Sequence, residues 1–181
     1  MKFTEQKIEG VYLIKPEPYQ DERGMLRRHF CEREFQAKNL MTNIRQSNVS
    51  ENKRKHTLRG FHFQLPPRGE NKVISCIKGS IYDIVVDLRR KSNTYLQWKF
   101  FELTEENRLS IYVPVGCANA YLTLTDNTWI LYYHSEFYSP GDEGSIRYND
   151  PYFNFEWPVE PKVISDKDLN ISDYKPNLVK S

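Results

Sequence analysis

The sequence predicts a mainly β protein, built as a sandwich or barrel with a few short helices. Short apolar runs bounded by turn residues recur along the chain, at 8–14, 43–50, 58–64, 72–77, 81–88, 97–103, 109–113, 119–125 and 128–138. Only 32–38 and 166–173 have a helical pattern, whereas a parallel α/β sheet would need many helical crossovers. Twelve Tyr and ten Phe residues also suit strands and a ring-lined pocket.

Turn residues separate the predicted strands. Pro16 and Pro18 end the first strand, and the segment 21–24, Asp-Glu-Arg-Gly, is typical of a turn. Lys78-Gly79 lies between two β-branched runs, as in a hairpin, and Asp126-Asn127 does the same for the next pair.

Composition limits the possible functions. The 181 residues predict a single domain over 1–181 with a C-terminal tail segment at 160–181. The 26 basic and 24 acidic residues leave a net charge of +2, so no nucleic-acid partner is expected. The N-terminus has no apolar signal core and no apolar run reaches membrane length, so we expect a soluble, cytoplasmic protein with no membrane partner. Cys31, Cys76 and Cys117 form no CxxC pair and are expected to be reduced, buried and structural.

The segment Leu58–Gln64 contains a candidate proton-transfer group. His62 lies in this short apolar segment directly after a very polar one, where partial shielding can tune an imidazole as a general base. A buried structural histidine is the commoner reading of a lone His. A simple binding module therefore remains an alternative at this point.

Two motifs resemble the ligand motifs of cupins, the double-stranded β-helix proteins that often bind metals. Cupins use His-x-His and Pro-x-Gly-x-x-His, but this chain has His62-Phe63-Gln64 and Pro114-x-Gly116-x-x-Asn119. Two imidazoles are therefore replaced, and His29, His56 and His134 lack ligand spacing. We predict a cupin-type double-stranded β-helix, a jelly-roll barrel, with no catalytic metal and no cofactor.

A metal-free base beside a carbonyl needs partners elsewhere in the chain. Lys72 is a candidate to hold an enolate oxygen, Tyr132 a candidate acid, and Asp168 a candidate to orient His62. By residue type alone each has a commoner structural reading: a solvated lysine, a packed tyrosine and a helix-capping aspartate.

An ordered series of motifs over residues 8–170 makes the chain resemble the nucleotide-sugar 3,5-epimerase family. The motifs are Asp21-Glu22-Arg23-Gly24, Gln46-x-Asn48-x-Ser50, Leu58-Arg59-Gly60-x-His62-x-Gln64, Lys72, Gly79-x-x-x-Asp83-x-x-x-Asp87-Leu88-Arg89, Pro114-x-Gly116, Leu131-Tyr132, Tyr138-x-Pro140, Ile146-Arg147-Tyr148-Asn149-Asp150-Pro151, Trp157-Pro158 and Ser165-x-Lys167-Asp168. Each motif alone is weak, but the series in this order is specific.

The resemblance implies a catalytic set and a substrate. His62 would be the base paired with Asp168, Lys72 would stabilise the enolate, and Tyr132 would be the opposing acid. The implied reaction is metal-independent epimerisation at C3, C5 or both of a nucleoside-diphospho-4-keto sugar, in biosynthesis of a surface-polysaccharide sugar. The residues implied to bind this substrate are Tyr19, Arg23, Gln46, Asn48, Arg59, Asn119, Tyr138 and Glu143. The family also dimerises, so residues 1–20 are expected to exchange a strand in a homodimer.

Two features depart from simple expectation. Asn119 stands where the family has a substrate-facing histidine, and an amide cannot relay a proton at neutral pH. Alternatives are therefore a C3-only epimerase acting on a variant sugar such as a 4-keto heptose, a nucleotide-sugar 3,4-ketoisomerase, and a non-catalytic carbohydrate-binding cupin. Strict alternation also puts Arg59 and His62 on opposite faces, unless a bulge at Gly60, a path around the strand edge or a dimer-shared site reconciles them.

Overall fold

Antiparallel strands dominate the computed structural model, which describes residues 1–176. In chain order the elements are β1 Lys2–Glu5, β2 Tyr12–Lys15, β3 Tyr19–Asp21, β4 Gly24–Leu26, α1 Glu32–Gln36, β5 Gln46–Asn52, β6 Leu58–Gln64, β7 Lys72–Lys78, β8 Ser80–Asp87, β9 Trp98–Thr104, β10 Ser110–Val113, β11 Cys117–Thr123, β12 Thr128–His134, β13 Glu143–Ser145 and α2 Asp166–Leu169. Within these residues no helix is both long and apolar enough to cross a membrane.

Two sheets face each other. A six-stranded sheet has the order β1-β2-β10-β7-β12-β5, and a five-stranded sheet has the order β13-β6-β11-β8-β9. Strands β3 and β4 form a separate two-stranded hairpin. This architecture confirms the predicted mainly β, cupin-type jelly roll with a few short helices.

The core lies between the two sheets. Alternate residues of the facing strands point inward, so Ile74 of β7, Ile111 of β10 and Val85 of β8 are fully buried together. Burying each such side chain stabilises the fold by roughly 1.5–3 kcal/mol relative to leaving it exposed. At one end of this interior the inward side chains become polar.

The outer faces of the sheets are also covered. Phe35 of α1 packs on Val73 and Tyr112, which point outward from the six-stranded sheet. On the other side, Phe61 of β6 packs against Phe155 with ring centroids 4.3 Å apart. The segment that follows β13 thus covers the outer face of the five-stranded sheet, and the chain then passes close to β6 again.

The two predicted hairpins are tight turns, as expected, but the strands that they join do not pair. Gly79, with φ +78°, leads from β7 in one sheet to β8 in the other, and Asn127, with φ +52°, leads from β11 to β12. The pairing prediction is wrong because a hairpin and a crossing between sheets require the same turn residues.

Several elements begin or end at other residues than the sequence predicts. Residues 8–14 are not one strand, because Gly10, with φ +74°, turns the chain between β1 and β2. The last strand ends at His134 rather than at residue 138, and α2 ends at Leu169 rather than at residue 173. Helix α1 ends at Gln36 rather than at residue 38. All three cysteines are free, but Cys31 is only half-buried.

A β-bulge in β6 confirms one of the reconciliations considered for Arg59 and His62. His62 pairs with Asn119 and Arg59 pairs with Tyr121, so two residues of β6 lie opposite the single residue between Asn119 and Tyr121. Gly60 adopts φ +113°, and a Cβ there would lie 2.6 Å from the Asn119 carbonyl oxygen. Glycine is therefore the residue that this close approach requires.

We expect Gly60→Ala to lower the free energy of unfolding by at least about 2 kcal/mol, because a methyl group would meet backbone atoms in a left-handed conformation. Chemical denaturation measures the change. Gly141→Ala is the matched control, since Gly141 also has a positive φ, +95°, but nothing lies within 4 Å of its added Cβ. Equal losses in the two variants would contradict the close-approach argument.

Candidate active site

A cavity of about 650 Å³ opens at the polar end of the space between the sheets. All four predicted catalytic residues line it: His62, Lys72, Tyr132 and Asp168. It is also lined by five of the predicted substrate-binding residues, namely Asn48, Arg59, Asn119, Tyr138 and Glu143. The sequence motifs, far apart in the chain, thus meet around one cavity.

His62 and Asp168 form a hydrogen-bonded pair on the wall of the five-stranded sheet. The distance from His62 Nε2 to Asp168 Oδ1 is 2.7 Å. Asp168 lies in the single turn of α2, which begins after Ser165, whose Oγ accepts a hydrogen bond from the Asp168 amide at 3.1 Å. When His62 Nε2 carries its proton toward this carboxylate, Nδ1 is left as the basic nitrogen.

The environment of Asp168 keeps its carboxylate ionised. Burial by itself raises the pKa of this carboxyl, but the hydrogen bond and charge of His62, the Gly60 N–H and the Ser165 hydroxyl together hold the pKa below its usual value. The carboxylate is 5% exposed, whereas His62 is 39% exposed to the cavity. This asymmetry suits an orienting acid behind an accessible base.

Lys72 reaches across from the opposite sheet to the His62 strand. Its Nζ donates to the His62 carbonyl oxygen at 3.0 Å and to Asn119 Oδ1 at 3.4 Å. It also pairs with Glu70 Oε1 at 3.4 Å. The ammonium is therefore held in place beside the base, where it can stabilise a developing oxyanion.

Asn119 links Lys72 to a buried carboxyl group. Its Nδ2 donates to Asp83 Oδ2 at 3.2 Å, and its Oδ1 accepts from Lys72, which can only donate. Complete burial raises the pKa of Asp83 well above its usual value, against the opposing effects of Asn119 and Lys72. Asn119 is thus a neutral hydrogen-bonding link between the Lys72 ammonium and the Asp83 carboxyl group.

Tyr132 lies on the wall of the six-stranded sheet, opposite His62. Its ring stacks on His134, with centroids 5.6 Å apart and planes at 21°. Burial, followed by the neighbouring Tyr121 and Asp83, holds the pKa of Tyr132 well above its usual range. The phenol consequently keeps its proton, as a general acid must before it reacts.

The bulge brings Arg59 to the same cavity as His62. Arg59 Nε donates to Asn52 Oδ1 at 2.9 Å, and Tyr121 OH donates to the same oxygen at 3.4 Å. Asn52 in turn donates to the Thr128 carbonyl at 3.2 Å. A guanidinium held in this way is suited to a phosphate or carboxylate group.

Gln64, which replaces a cupin ligand position, organises the loop that carries Tyr138. Its amide donates to the Phe137 carbonyl at 3.2 Å and accepts from the Ser139 N–H at 2.8 Å. Gln46 Oε1 accepts a hydrogen bond from the Tyr138 N–H in this loop. Gln46 therefore supports the loop but does not itself line the cavity.

Glu143 completes the rim of the cavity together with Lys167. The Lys167 Nζ donates a hydrogen bond to Glu143 Oε2 at 2.7 Å. The Lys167 ammonium is the main reason that the pKa of Glu143 lies below its usual value.

Among residues 1–176, no group of three or more His, Cys, Asp and Glu side chains is arranged to hold a metal ion.

Besides Gln46, two predicted substrate-binding residues do not line the cavity of their own chain. Tyr19 and Arg23 belong to the β3–β4 hairpin and its turn, and Tyr19 is 65% exposed. The Arg23 guanidinium pairs with Asp21 at 2.5 Å.

Sequence reasoning gave no role to several residues of the site, among them Glu70, Tyr121 and His134, which line the cavity, and Asp83, which is buried behind Asn119. Two of these were accessible to an alternation argument. Glu70 lies two positions before Lys72, and His134 lies two positions after Tyr132. Asp83 and Tyr121 depended on which strands pair, which the sequence pattern does not show.

Comparison with known proteins identifies a family. The family model described as dTDP-4-dehydrorhamnose 3,5-epimerase matches residues 5–175. A dTDP-4-dehydrorhamnose 3,5-epimerase from Methanothermobacter thermautotrophicus is 36% identical over 181 residues, 98% of this chain and 97% of that protein. One from Shigella flexneri is 33% identical, covering 94% of each chain.

Solved structures agree with these relatives. A dTDP-4-dehydrorhamnose 3,5-epimerase from Bacillus anthracis with TDP and PPi bound has a TM-score of 0.92 and 31% identity, covering 96% of this chain and 99% of that one. A 3'-monoepimerase from Streptomyces bikiniensis in complex with dTDP-quinovose has a TM-score of 0.86 and 32% identity, covering 93% and 85%.

Proposed function

The chain belongs to the dTDP-4-dehydrorhamnose 3,5-epimerase family and is an isomerase, and we propose that it inverts C3, C5 or both in a nucleoside-diphospho-4-keto sugar. The observation that carries the proposal is the arrangement of a base and an acid on opposite walls of one cavity. His62, paired with Asp168 at 2.7 Å, belongs to one sheet, and Tyr132 belongs to the other. We place the reaction in biosynthesis of a surface-polysaccharide sugar, in the cytoplasm, where free thiols stay reduced.

The first half of the proposed reaction forms an enolate without a metal. The 4-keto group acidifies the hydrogens on C3 and C5. His62 takes one of them as a proton, and the C–H electron pair moves onto the C4 oxygen. Lys72, held 3.0 Å from the His62 carbonyl, lies beside the base and offers its positive charge to that oxygen.

The second half returns a proton from the other face of the sugar ring. Tyr132 donates its phenolic proton to the carbon, the enolate electrons re-form the ketone, and the stereocentre is inverted. The phenolate then regains a proton from solvent, and His62 releases its own. No electrons leave the substrate, so no redox cofactor is part of the proposal.

The remaining polar groups are proposed to bind the nucleotide part of the substrate. Arg59 offers a guanidinium for the diphosphate, which suits bidentate contacts with phosphate oxygens. Tyr138, 56% exposed at the cavity rim, offers a ring for a nucleobase, and Asn48 and Glu143 line the same cavity. A dTDP-linked 4-keto sugar is the first substrate to test, because TDP and dTDP-sugar are bound in the related structures.

We expect His62→Ala to lower solvent-deuterium exchange at the reacting carbon by at least about 100-fold, because the general base is removed. Affinity for the nucleotide sugar should change little. Tyr132→Phe should keep exchange and lose inversion, since only the acid is missing. Proton NMR in D2O measures exchange, and equilibrium binding measures affinity. Full exchange activity in His62→Ala would refute the assigned base.

A second candidate function is epimerisation at C3 alone, and Asn119 is the residue that favours it. Its amide hydrogen-bonds Asp83 and Lys72 but cannot carry a proton between them as an imidazole could. One related structure, 32% identical, is a 3'-monoepimerase. Such an enzyme could also act on a variant sugar, such as a 4-keto heptose.

A C3-only enzyme should incorporate deuterium chiefly at C3 when the 4-keto substrate is incubated in D2O. The Shigella flexneri relative, a dTDP-4-dehydrorhamnose 3,5-epimerase, serves as the reference under the same conditions. Comparable labelling and inversion at C5 would rule out the C3-only reading. Carbon NMR of the product distinguishes the C3-only epimerase and the 3,5-epimerase from a 3,4-ketoisomerase, which would move the ketone away from C4.

We further propose a homodimer in which residues 1–20 exchange a strand between the chains and the adjoining β3–β4 hairpin of each chain completes the cavity of the other. Tyr19 and Leu26 of this hairpin are 65% and 74% exposed, and Tyr19 and Arg23 do not reach their own cavity. Sedimentation equilibrium should give about twice the chain mass of 21.6 kDa. A monomer throughout the micromolar range would contradict this arrangement.

A further inference from the structure

A second histidine–carboxylate pair lines the cavity, on the wall opposite His62 and Asp168. His134 Nδ1 lies 2.8 Å from Glu70 Oε2. Both side chains are largely buried, at 16% and 10% exposed. The proposed proton transfers use neither residue.

The pair is tied to Lys72 through strand register. His134 of β12 pairs directly with Lys72 of β7, so the two side chains project into the cavity side by side. Glu70, two positions before Lys72, points to the same side, and each of its two carboxylate oxygens contacts one of these residues. Oε2 meets His134, and Oε1 lies 3.4 Å from Lys72 Nζ. The carboxylate thus binds the cation that is proposed to hold the enolate.

The pair is also tied to the proposed acid. The imidazole of His134 stacks on the ring of Tyr132, with centroids 5.6 Å apart. Rotation of Tyr132 toward that side would require His134 to move, and Glu70 holds His134. One carboxylate therefore links Lys72 and the ring that supports Tyr132.

We propose that Glu70 and His134 are positioning residues that fix Tyr132 and Lys72 relative to each other, so that the enolate is protonated on the Tyr132 face. The inference rests on the proposed function. Neither residue donates a proton to the substrate in this scheme. Their contribution is the geometry of the acid at the moment of proton return.

The position of Tyr132 determines whether the enolate is protonated with inversion, by Tyr132, or with retention, by His62. In D2O, a deuteron delivered by Tyr132 gives a labelled and inverted carbon. A deuteron returned by His62, after its proton has exchanged with solvent, gives a labelled carbon of unchanged configuration. Misplacing Tyr132 therefore lowers inversion while exchange continues.

The test compares labelling and inversion in single-turnover NMR experiments in D2O. For His134→Ala and Glu70→Gln, we expect the ratio of inversion to exchange to fall by about tenfold, with exchange largely kept. His134→Phe keeps a stacking ring without the hydrogen bond to Glu70 and should recover part of the ratio. Glu136→Gln is the matched control, because Glu136 pairs with Arg68 at 3.8 Å outside the cavity and should leave the ratio unchanged.

Other outcomes would overturn the inference. Losses of inversion and exchange by the same factor would mean that the pair only supports the fold, and unchanged rates of both would mean that Tyr132 is held without it. Glu70→Gln is nearly isosteric and keeps the test decisive should His134→Ala unfold. Absence of exchange in the wild-type protein would instead refute the proposed function, and this role with it, whereas wild-type exchange with an unchanged ratio refutes the pair alone.

Discussion

The extra residue in β6 at Gly60 determines how the rest of the cavity is assembled. Without it, the alternation of a regular strand would turn Arg59 outward with Phe61, away from His62. With it, Arg59 and His62 both face the cavity, while Phe61 stays in the outer aromatic cluster. The Gly60 N–H also points to Asp168 Oδ2, at 3.5 Å, so the same irregularity helps to hold the carboxylate behind the base. Glycine is needed because the backbone of β11 passes too close for a side chain.

The two-sheet architecture explains why base and acid can face each other. The five-stranded sheet carries His62 and Asn119, and the six-stranded sheet carries Lys72 and Tyr132. The connections that cross between the sheets put consecutive motifs on opposite walls. A substrate bound between the walls is therefore open to proton removal on one side and proton delivery on the other.

Buried charge in the cavity is balanced locally rather than by solvent. Asp168 is compensated by His62, and Glu70 by Lys72 and His134, and in both carboxyls these partners outweigh burial and lower the pKa. Asp83 has only an amide and a more distant cation near it, so burial dominates and raises its pKa. The pKa values of carboxyl groups in one cavity thus shift in opposite directions because their partners differ.

Much of this protein could be read from its sequence. Alternating apolar runs and turn residues determined the mainly β class. The ordered motifs indicated the family and singled out His62, Lys72, Tyr132 and Asp168, which line one cavity. These are local patterns, and local patterns report which residues lie on a strand and which end it. They also located the irregularity near Gly60 as a conflict between alternation and the motif.

Only the tertiary structure decided what depends on strand pairing. The turns at Gly79 and Asn127 lead between sheets rather than into hairpins, and no local pattern distinguishes the two. The contact of His134 with Glu70 joins residues 64 positions apart, through the register of β12 against β7. Tyr19 was expected at the substrate pocket from the family resemblance, yet it lies outside the cavity of its own chain. Long-range register and chain assembly set these positions, because they are selected by packing of the whole core and not by any one segment.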